Sequence, residues 1–156
     1  MRKPPPGCIK LNVVAAVSQV YASIAVLARK ESGGIVKAWA SIHPICEPIE
    51  AEEASIVWAL NLAIEEKFLY IEIEGDAKLC FDELNGDVQN FHWIAKTLLL
   101  NAVELKTKCC SCWVKRECNA VAHALAKVVS PLSPVFKCNN DSLPSDVWEA
   151  WEICCL

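Results

Sequence analysis

The sequence predicts an α/β fold: a mixed five-stranded sheet, with three antiparallel strands and then two parallel ones, and helices on both faces. Two observations predict it. Three apolar segments that read as strands come first, and helical and strand segments then alternate. Strands joined by tight turns pair antiparallel, whereas a strand reached through a helix can pair parallel. The 156 residues have the length of one ordinary domain.

The first three strands are predicted over residues 8–17, 20–29 and 35–42. Valine and isoleucine recur in all three, and these β-branched residues suit a pleated sheet. Residues 31–34, ESGG, read as a hairpin connection. The two prolines of HPICEP, residues 43–48, end the third strand.

Helices and strands alternate from there on. Ala, Leu and Glu favour a helix over 49–67, and apolar and acidic residues alternate along a strand over 68–76. Asp76 is predicted to cap the next helix, and Asn119 the last one. The remaining predicted elements are helices over 76–86, 91–105 and 119–130, a strand over 109–116 and a short helix over 145–155. The predicted organisation is a lead-in over 1–7, a domain over 8–131 and a tail over 132–156.

Composition narrows the class of protein. Hydrophobic residues make up 54% of the chain, which is enough for a packed core. The formal net charge of −4 argues against a strongly basic protein that grips nucleic acid non-specifically. No apolar run reaches the roughly 18 residues of a membrane helix, and no secretory signal follows MRKPPPG. We therefore expect an intracellular protein, in the nucleus or the cytoplasm, with no membrane partner.

The chain has ten cysteines, three of them in the CCSC cluster at residues 109–112. In a reducing compartment cysteines stay free thiols. A zinc site is one interpretation of the cluster, but no second CxxC motif follows it and the segment reads as a strand. Apolar packing is the interpretation that we favour.

Acidic residues lie at two places where an active site could form. Glu52 lies near the start of the first long helix, and Asp76 ends the fourth strand. Functional groups in mixed sheets collect at strand ends and helix starts. Clustered carboxylates repel one another unless a cation such as Mg²⁺ relieves them. The alternative is structural, because acids favour helix N-termini and aspartate is a common N-cap.

Five segments of the chain carry a resemblance to a known family: LNVVAAVS (11–18), PIEAEEASIVWAL (48–60), IEIEGDAKLCFDEL (71–84), CSCWVKRECNAVAHALAK (110–127) and NNDSLPSDVWEAW (139–151). Together they resemble the plant ribonuclease H-like domain of retroelement origin, which also ends non-LTR reverse transcriptases. The resemblance runs from about Lys3 to Trp151 and follows the family's order and spacing. It implies a ribonuclease H-like fold and cleavage of the RNA strand of RNA–DNA hybrids with two Mg²⁺ ions.

The resemblance also assigns roles to residues. The metal-binding carboxylates fall on Glu52 and Asp76, whereas the first-strand aspartate falls on Val14 and another aspartate of ribonucleases H falls on His123. Because the first-strand acid is expected to bridge both ions, we predict that hydrolysis is severely reduced or absent. Mg²⁺ or Mn²⁺ would serve any remaining activity, and otherwise we expect no bound metal. A lone histidine on an Ala-rich helix is more often hydrogen-bonded than a ligand, and imidazole suits Mg²⁺ poorly.

Four residues are the candidate contacts for nucleic acid: Lys78, Lys115, Arg116 and Asn119. Lysine and arginine hold phosphates, and we expect weak binding to an RNA–DNA hybrid or another nucleic acid. The tryptophans form two predicted groups, Trp58 and Trp113 in the core, and Trp39, Trp93, Trp148 and Trp151 partly exposed.

Three functions compete at this point. The first is an RNA–DNA hybrid ribonuclease, impaired by Val14. The second is a non-catalytic module that binds nucleic acid or an unknown protein partner through the retained fold. The third is a decayed retroelement fragment without a present role. Hybrid binding without cleavage in Mg²⁺ would favour the second over the first.

Overall fold

The structure is a computed structural model that describes residues 2–86 and 108–155. The predicted helix over 91–105 and Trp93 lie outside the described residues. Within them, no helix is both long enough and apolar enough to span a membrane.

Six strands and four α-helices make up the described part of the chain. The strands are β1 (Ile9–Val17), β2 (Ala22–Arg29), β3 (Ile35–His43), β4 (Tyr70–Gly75), β5 (Lys108–Trp113) and β6 (Val135–Asn139). The helices are α1 (Pro48–Glu65), α2 (Lys78–Asn85), α3 (Ala120–Ala126) and α4 (Ser145–Cys155), with short 3₁₀ helices at Arg116–Asn119 and Asn140–Ser142. Each strand and helix predicted for this part is present, with ends displaced by a few residues.

The strands form one mixed sheet in the order β5-β4-β1-β2-β3-β6. β1, β2 and β3 pair antiparallel, and β4 pairs parallel with both β1 and β5. This confirms the predicted α/β class and the predicted directions of the first five strands. The parallel pairing of β1 with β4 brings the carboxyl ends of both strands to one edge, where Asp76 follows.

The prediction of five strands is wrong, because β6 adds a sixth at the edge. It pairs antiparallel with β3, from Lys37 opposite Asn139 to Ser41 opposite Val135. The sequence VFKCN is short and mostly exposed, so it carries little of the apolar alternation that marks a strand. Tertiary pairing with β3 decides its conformation, as is common for edge strands. The residues after 131 thus contribute a strand as well as the predicted helix α4.

The sheet separates two apolar cores. One lies under α1 and contains Leu11, Val13 and Phe81. The other lies under α3 and α4 and contains Val14 and Val121. Because side chains alternate along a strand, the neighbours Val13 and Val14 enter opposite cores.

Helix α1 begins in a way that places Glu52 one turn inside it. Pro48 occupies the first turn, where its missing N–H costs nothing. The Glu50 carboxylate accepts the backbone N–H of Glu47 at 3.1 Å, which satisfies a donor that the helix itself leaves unpaired. The start of α1 is therefore fixed at the same edge of the sheet as Asp76.

Several side-chain predictions are wrong. Ala77, not Asp76, holds the N-cap position of α2. Trp39 is buried at 3% exposure because it packs into the core under α1, whereas Trp113 is 40% exposed because it ends the edge strand β5. Within the CCSC cluster, Cys109 packs against the core but Cys110 is exposed.

Candidate functional site

Four chain segments converge on Asp76. The β1–β4 pairing ends with Asn12 opposite Glu74. Asn119 Nδ2 donates both to the Val13 carbonyl and to Asp76 Oδ1, which places the Val13–Val14 peptide close to Asp76. From α1, Glu52 accepts a backbone hydrogen bond from Ala15. From α3, His123 contacts Asp76 directly. The structure therefore brings the predicted residues Val14, Glu52, Asp76 and His123 to one place.

Both carboxylate oxygens of Asp76 have partners within the protein. His123 Nε2 lies 3.2 Å from Oδ1 and 3.1 Å from Oδ2. Asn119 Nδ2 donates to Oδ1 at 2.8 Å, and Arg116 Nη1 is 3.8 Å from Oδ2. Burial disfavours the charged form of Asp76, but the hydrogen bonds from His123 and Asn119 outweigh it and lower its pKa. Asp76 is thus an ionised carboxylate whose two oxygens have hydrogen-bond partners within the chain.

Glu52 is in the opposite electrostatic state. Burial, and next the negative charge of Asp76, raise the pKa of Glu52 to about 8, although the Ala15 amide and the Arg116 charge act in the other direction. At neutral pH the Glu52 carboxyl therefore mostly keeps its proton. The two acids differ because the hydrogen-bond donors of the site are directed to Asp76.

Val14 makes the floor of the site apolar. Its side chain is fully buried, in the same cluster as Val121 and Ala122 of α3. Valine suits a strand and needs no counter-charge, so the interior packs around it without a polar partner.

These residues do not fit a pair of magnesium ions. Magnesium prefers oxygen ligands in octahedral geometry. Here Val14 offers methyl groups, and Asp76 already accepts hydrogen bonds at both oxygens. Within residues 2–86 and 108–155, no three His, Cys, Asp or Glu side chains are grouped to share a metal ion.

A buried polar network stands behind the site, and sequence reasoning missed it. Asn12 donates to Glu74 at 2.9 Å and to Oδ1 of Asn119 at 3.1 Å, and it accepts a hydrogen bond from Arg29 at 2.9 Å. Lys10 binds the other oxygen of Glu74 at 3.0 Å. All of these side chains are buried. The available signal in the sequence was the opposite charge on the two strands that follow β4 in the sheet, Lys10 on β1 and Arg29 on β2.

The candidate nucleic-acid contacts divide into exposed and buried residues. Lys78, Lys115 and Arg116 are exposed. Asn119 is fully buried, and its amide binds Asp76 and the carbonyl of Val13. Arg116 also lines a shallow hollow of about 410 Å³ together with His123 and Lys127. The basic surface near Asp76 therefore consists of lysine and arginine side chains, whereas Asn119 contacts Asp76 from the interior.

Solved structures of ribonucleases H share the fold. Ribonuclease H1 from the halophilic archaeon Halobacterium salinarum is 24% identical, with a TM-score of 0.65 over 77% of this chain and 95% of that one. The N-terminal ribonuclease H domain of a Mycobacterium tuberculosis protein is 16% identical, with a TM-score of 0.65 over 78% and 91%. A ribonuclease H1 isolated from compost, in complex with an RNA/DNA hybrid, is 17% identical, with a TM-score of 0.64 over 78% and 95%. The fold is thus ribonuclease H-like.

Sequence comparison gives the family. No curated protein matches the chain. Residues 11–129, which include Val14, Glu52, Asp76 and His123, match the profile of the family described as reverse transcriptase-like. The chain therefore belongs to the reverse transcriptase-like family.

Proposed function

We propose that this protein is a ribonuclease H-like domain that binds RNA–DNA hybrids and has lost most or all of its metal-dependent hydrolysis. The single observation that carries the proposal is the position of Val14, which is fully buried and follows Val13, whose carbonyl shares the Asn119 amide with Asp76. A two-metal mechanism needs anionic ligands that hold both ions close together. A valine there removes one of those ligands.

The contacts of Asp76 support the loss of hydrolysis. Asp76 accepts hydrogen bonds from His123 and Asn119 and lies 3.8 Å from Arg116 Nη1, so both of its oxygens already have partners without a divalent cation. Mg²⁺ or Mn²⁺ would have to displace these contacts before it could bind.

The exposed cations and the related structures support nucleic-acid binding. Lys78, Lys115 and Arg116 lie on the surface around Asp76 in a chain of net charge −4. The compost ribonuclease H1 was solved with an RNA/DNA hybrid. A foamy viral protease-reverse transcriptase, similar at 16% identity and a TM-score of 0.56, was solved with double-stranded DNA.

The motifs of the chain also support descent from a plant retroelement, and we place the protein in the nucleus or the cytoplasm.

The deciding experiment compares cleavage of a labelled RNA–DNA hybrid by the wild type, Val14→Asp and Val14→Asp/His123→Asp, in Mg²⁺ and in Mn²⁺. We expect no cleavage by the wild type and increasing cleavage along the series. Val14→Asn is the matched control, since it adds a polar side chain without a charge and should remain inactive. Cleavage by the wild type at the rate of Val14→Asp would overturn the proposal.

A second measurement separates metal binding from catalysis. The added carboxylates should lower the melting temperature of the double variant in EDTA, because they are buried near Asp76 without a cation. Mg²⁺ should then raise it by several degrees, since a ligand that binds only the folded state stabilises that state. The wild type should melt at the same temperature with and without Mg²⁺.

A non-catalytic module that binds a protein partner is the second candidate. Val20 and Ile45, at 76% and 56% exposure, favour it as exposed apolar side chains. Hybrid binding by the wild type, measured in Mg²⁺ without cleavage, supports the nucleic-acid module; no binding to any hybrid leaves the protein partner.

A further inference from the structure

We propose that Trp113 and Lys78 form a stacking platform for an unpaired base, so that the protein prefers nucleic acids that carry a single-stranded segment. The inference rests on the proposed function in taking nucleic acid as the partner. It requires neither hydrolysis nor its loss.

The indole of Trp113 is fixed next to Asp76 yet left open. Trp113 ends β5 and pairs in register with Gly75, the residue before Asp76. Its Nε1 donates to the backbone carbonyl of Asp76 at 3.3 Å. The residue is nevertheless 40% exposed. A partly exposed aromatic ring that is held by a hydrogen bond suits the binding of another flat apolar group on the area that Lys78 leaves uncovered.

A cation stands over the same ring. Lys78 Nζ lies 5.8 Å from the centre of the Trp113 ring, and its side chain is 62% exposed and paired with Asp82 at 2.6 Å. A base stacked on the indole would therefore carry its phosphate towards a lysine that is already nearby. Exposed Arg116, on the other side of the Asp76 carboxylate, offers a second phosphate contact.

The chemistry of stacking selects unpaired bases. A base in a duplex presents only its edge in the grooves, since both of its faces are covered by neighbouring base pairs. An indole can reach the face of a base only where the strand is single, as in an overhang or a loop. Aromatic rings next to cations are the common device for this kind of binding, and it is largely independent of base sequence.

The test measures binding of labelled oligonucleotides of about 12 nucleotides to the full chain by fluorescence anisotropy. The ligands are a single strand, a blunt RNA–DNA hybrid, the same hybrid with a single-stranded overhang, and a single strand with abasic sites. We expect Trp113→Ala to weaken binding of the single strand and of the overhang hybrid about tenfold. Its affinity for the blunt hybrid should not change. Trp113→Phe should recover part of the loss. Abasic sites in the single strand should lower the affinity of the wild type by the same factor as Trp113→Ala lowers it for the normal strand.

Salt dependence separates the roles of the two side chains. Lys78→Gln should lower the slope of log Kd against log salt by about 0.7, the value for one phosphate contact on a single strand. Trp113→Ala should leave that slope unchanged, because stacking releases no counterions. Trp148→Ala and Lys137→Gln, two exposed residues elsewhere, are the matched controls and should change neither affinity nor slope.

Two results would overturn the inference. One is equal affinity of wild type and a folded Trp113→Ala for the single strand, with melting curves confirming the fold. The other is equal wild-type affinity for normal and abasic strands. Failure of the blunt hybrid alone to bind would instead count against the hybrid partner proposed above, and the single-strand result would still stand.

Discussion

Asn119 lies fully buried with its amide nitrogen 2.8 Å from Oδ1 of Asp76. The same nitrogen donates to the backbone carbonyl of Val13, also at 2.8 Å. One side chain thus ties the end of β4 to β1 from the start of α3. The two protons of this one amide nitrogen therefore hold Asp76 against the backbone of β1.

Replacing Asn119 by alanine should destabilise the fold. The Val13 carbonyl would lose a buried hydrogen bond, at a cost of about 1–3 kcal/mol for a group left unpaired, and Asp76 Oδ1 would keep only its contact with His123. Chemical denaturation measures the loss, and the exposed Asn139→Ala provides the control. A variant as stable as the wild type would show that water replaces the amide.

Glu52 should make stability fall as pH rises. Its carboxyl ionises at about 4.5 in the unfolded chain but at about 8 in the folded protein. Below the lower value both states are protonated and Glu52 costs nothing. Between the two values only the unfolded state gains by ionising, so the cost grows with pH and is complete above about 8.

Glu52→Gln should therefore raise the melting temperature by a few degrees at about pH 8, with a much smaller gain at about pH 5. Thermal melts across this range measure it. Glu65→Gln, an exposed position on the same helix, should give no such trend. A pH-independent difference between wild type and Glu52→Gln would contradict the assignment.

The buried charges of β1 and β4 should be costly to separate. Lys10 lies 3.0 Å from Glu74 and 3.5 Å from Glu72, and all three side chains are buried. Lys10→Met removes one cation from beside each carboxylate, while Arg2 still contacts Glu72 and Arg29 still lies 3.5 Å from Glu74, so we expect a loss of up to about 3–5 kcal/mol in the free energy of unfolding. Lys137→Met on the exposed edge strand should change it little. Urea denaturation of both variants makes the comparison.

Sequence reasoning reached the fold and the main residues of the site for identifiable reasons. The first five strands and α1 have strong local patterns, and the motifs around Glu52 and Asp76 have family spacing. β6 was missed because its pairing with β3 is a long-range contact without a local pattern. The interior position of Asn119 and the open ring of Trp113 were missed because each depends on which segment packs nearby, not on the residue itself.

Gly75 shows how tightly the strand before Asp76 is packed. A Cβ at this position would lie 2.7 Å from Phe81 Cε2 and 3.0 Å from Val13 Cγ2. Both neighbours belong to the core under α1. The EGD motif thus needs glycine for close packing, whereas the φ angle of Gly75 lies outside the left-handed region.

Gly75→Ala should therefore destabilise the protein by about 1–3 kcal/mol through overpacking. Phe81→Leu in the same chain should recover part of that loss, because it removes the ring that the new methyl group meets. At Gly34, an added Cβ meets the flexible end of Lys30 at 3.0 Å, so Gly34→Ala is the matched control and should cost less. Denaturation curves of the three single variants and the Gly75→Ala/Phe81→Leu double variant give the coupling energy. Strict additivity would mean that the Phe81 ring is not what excludes a side chain beside Asp76.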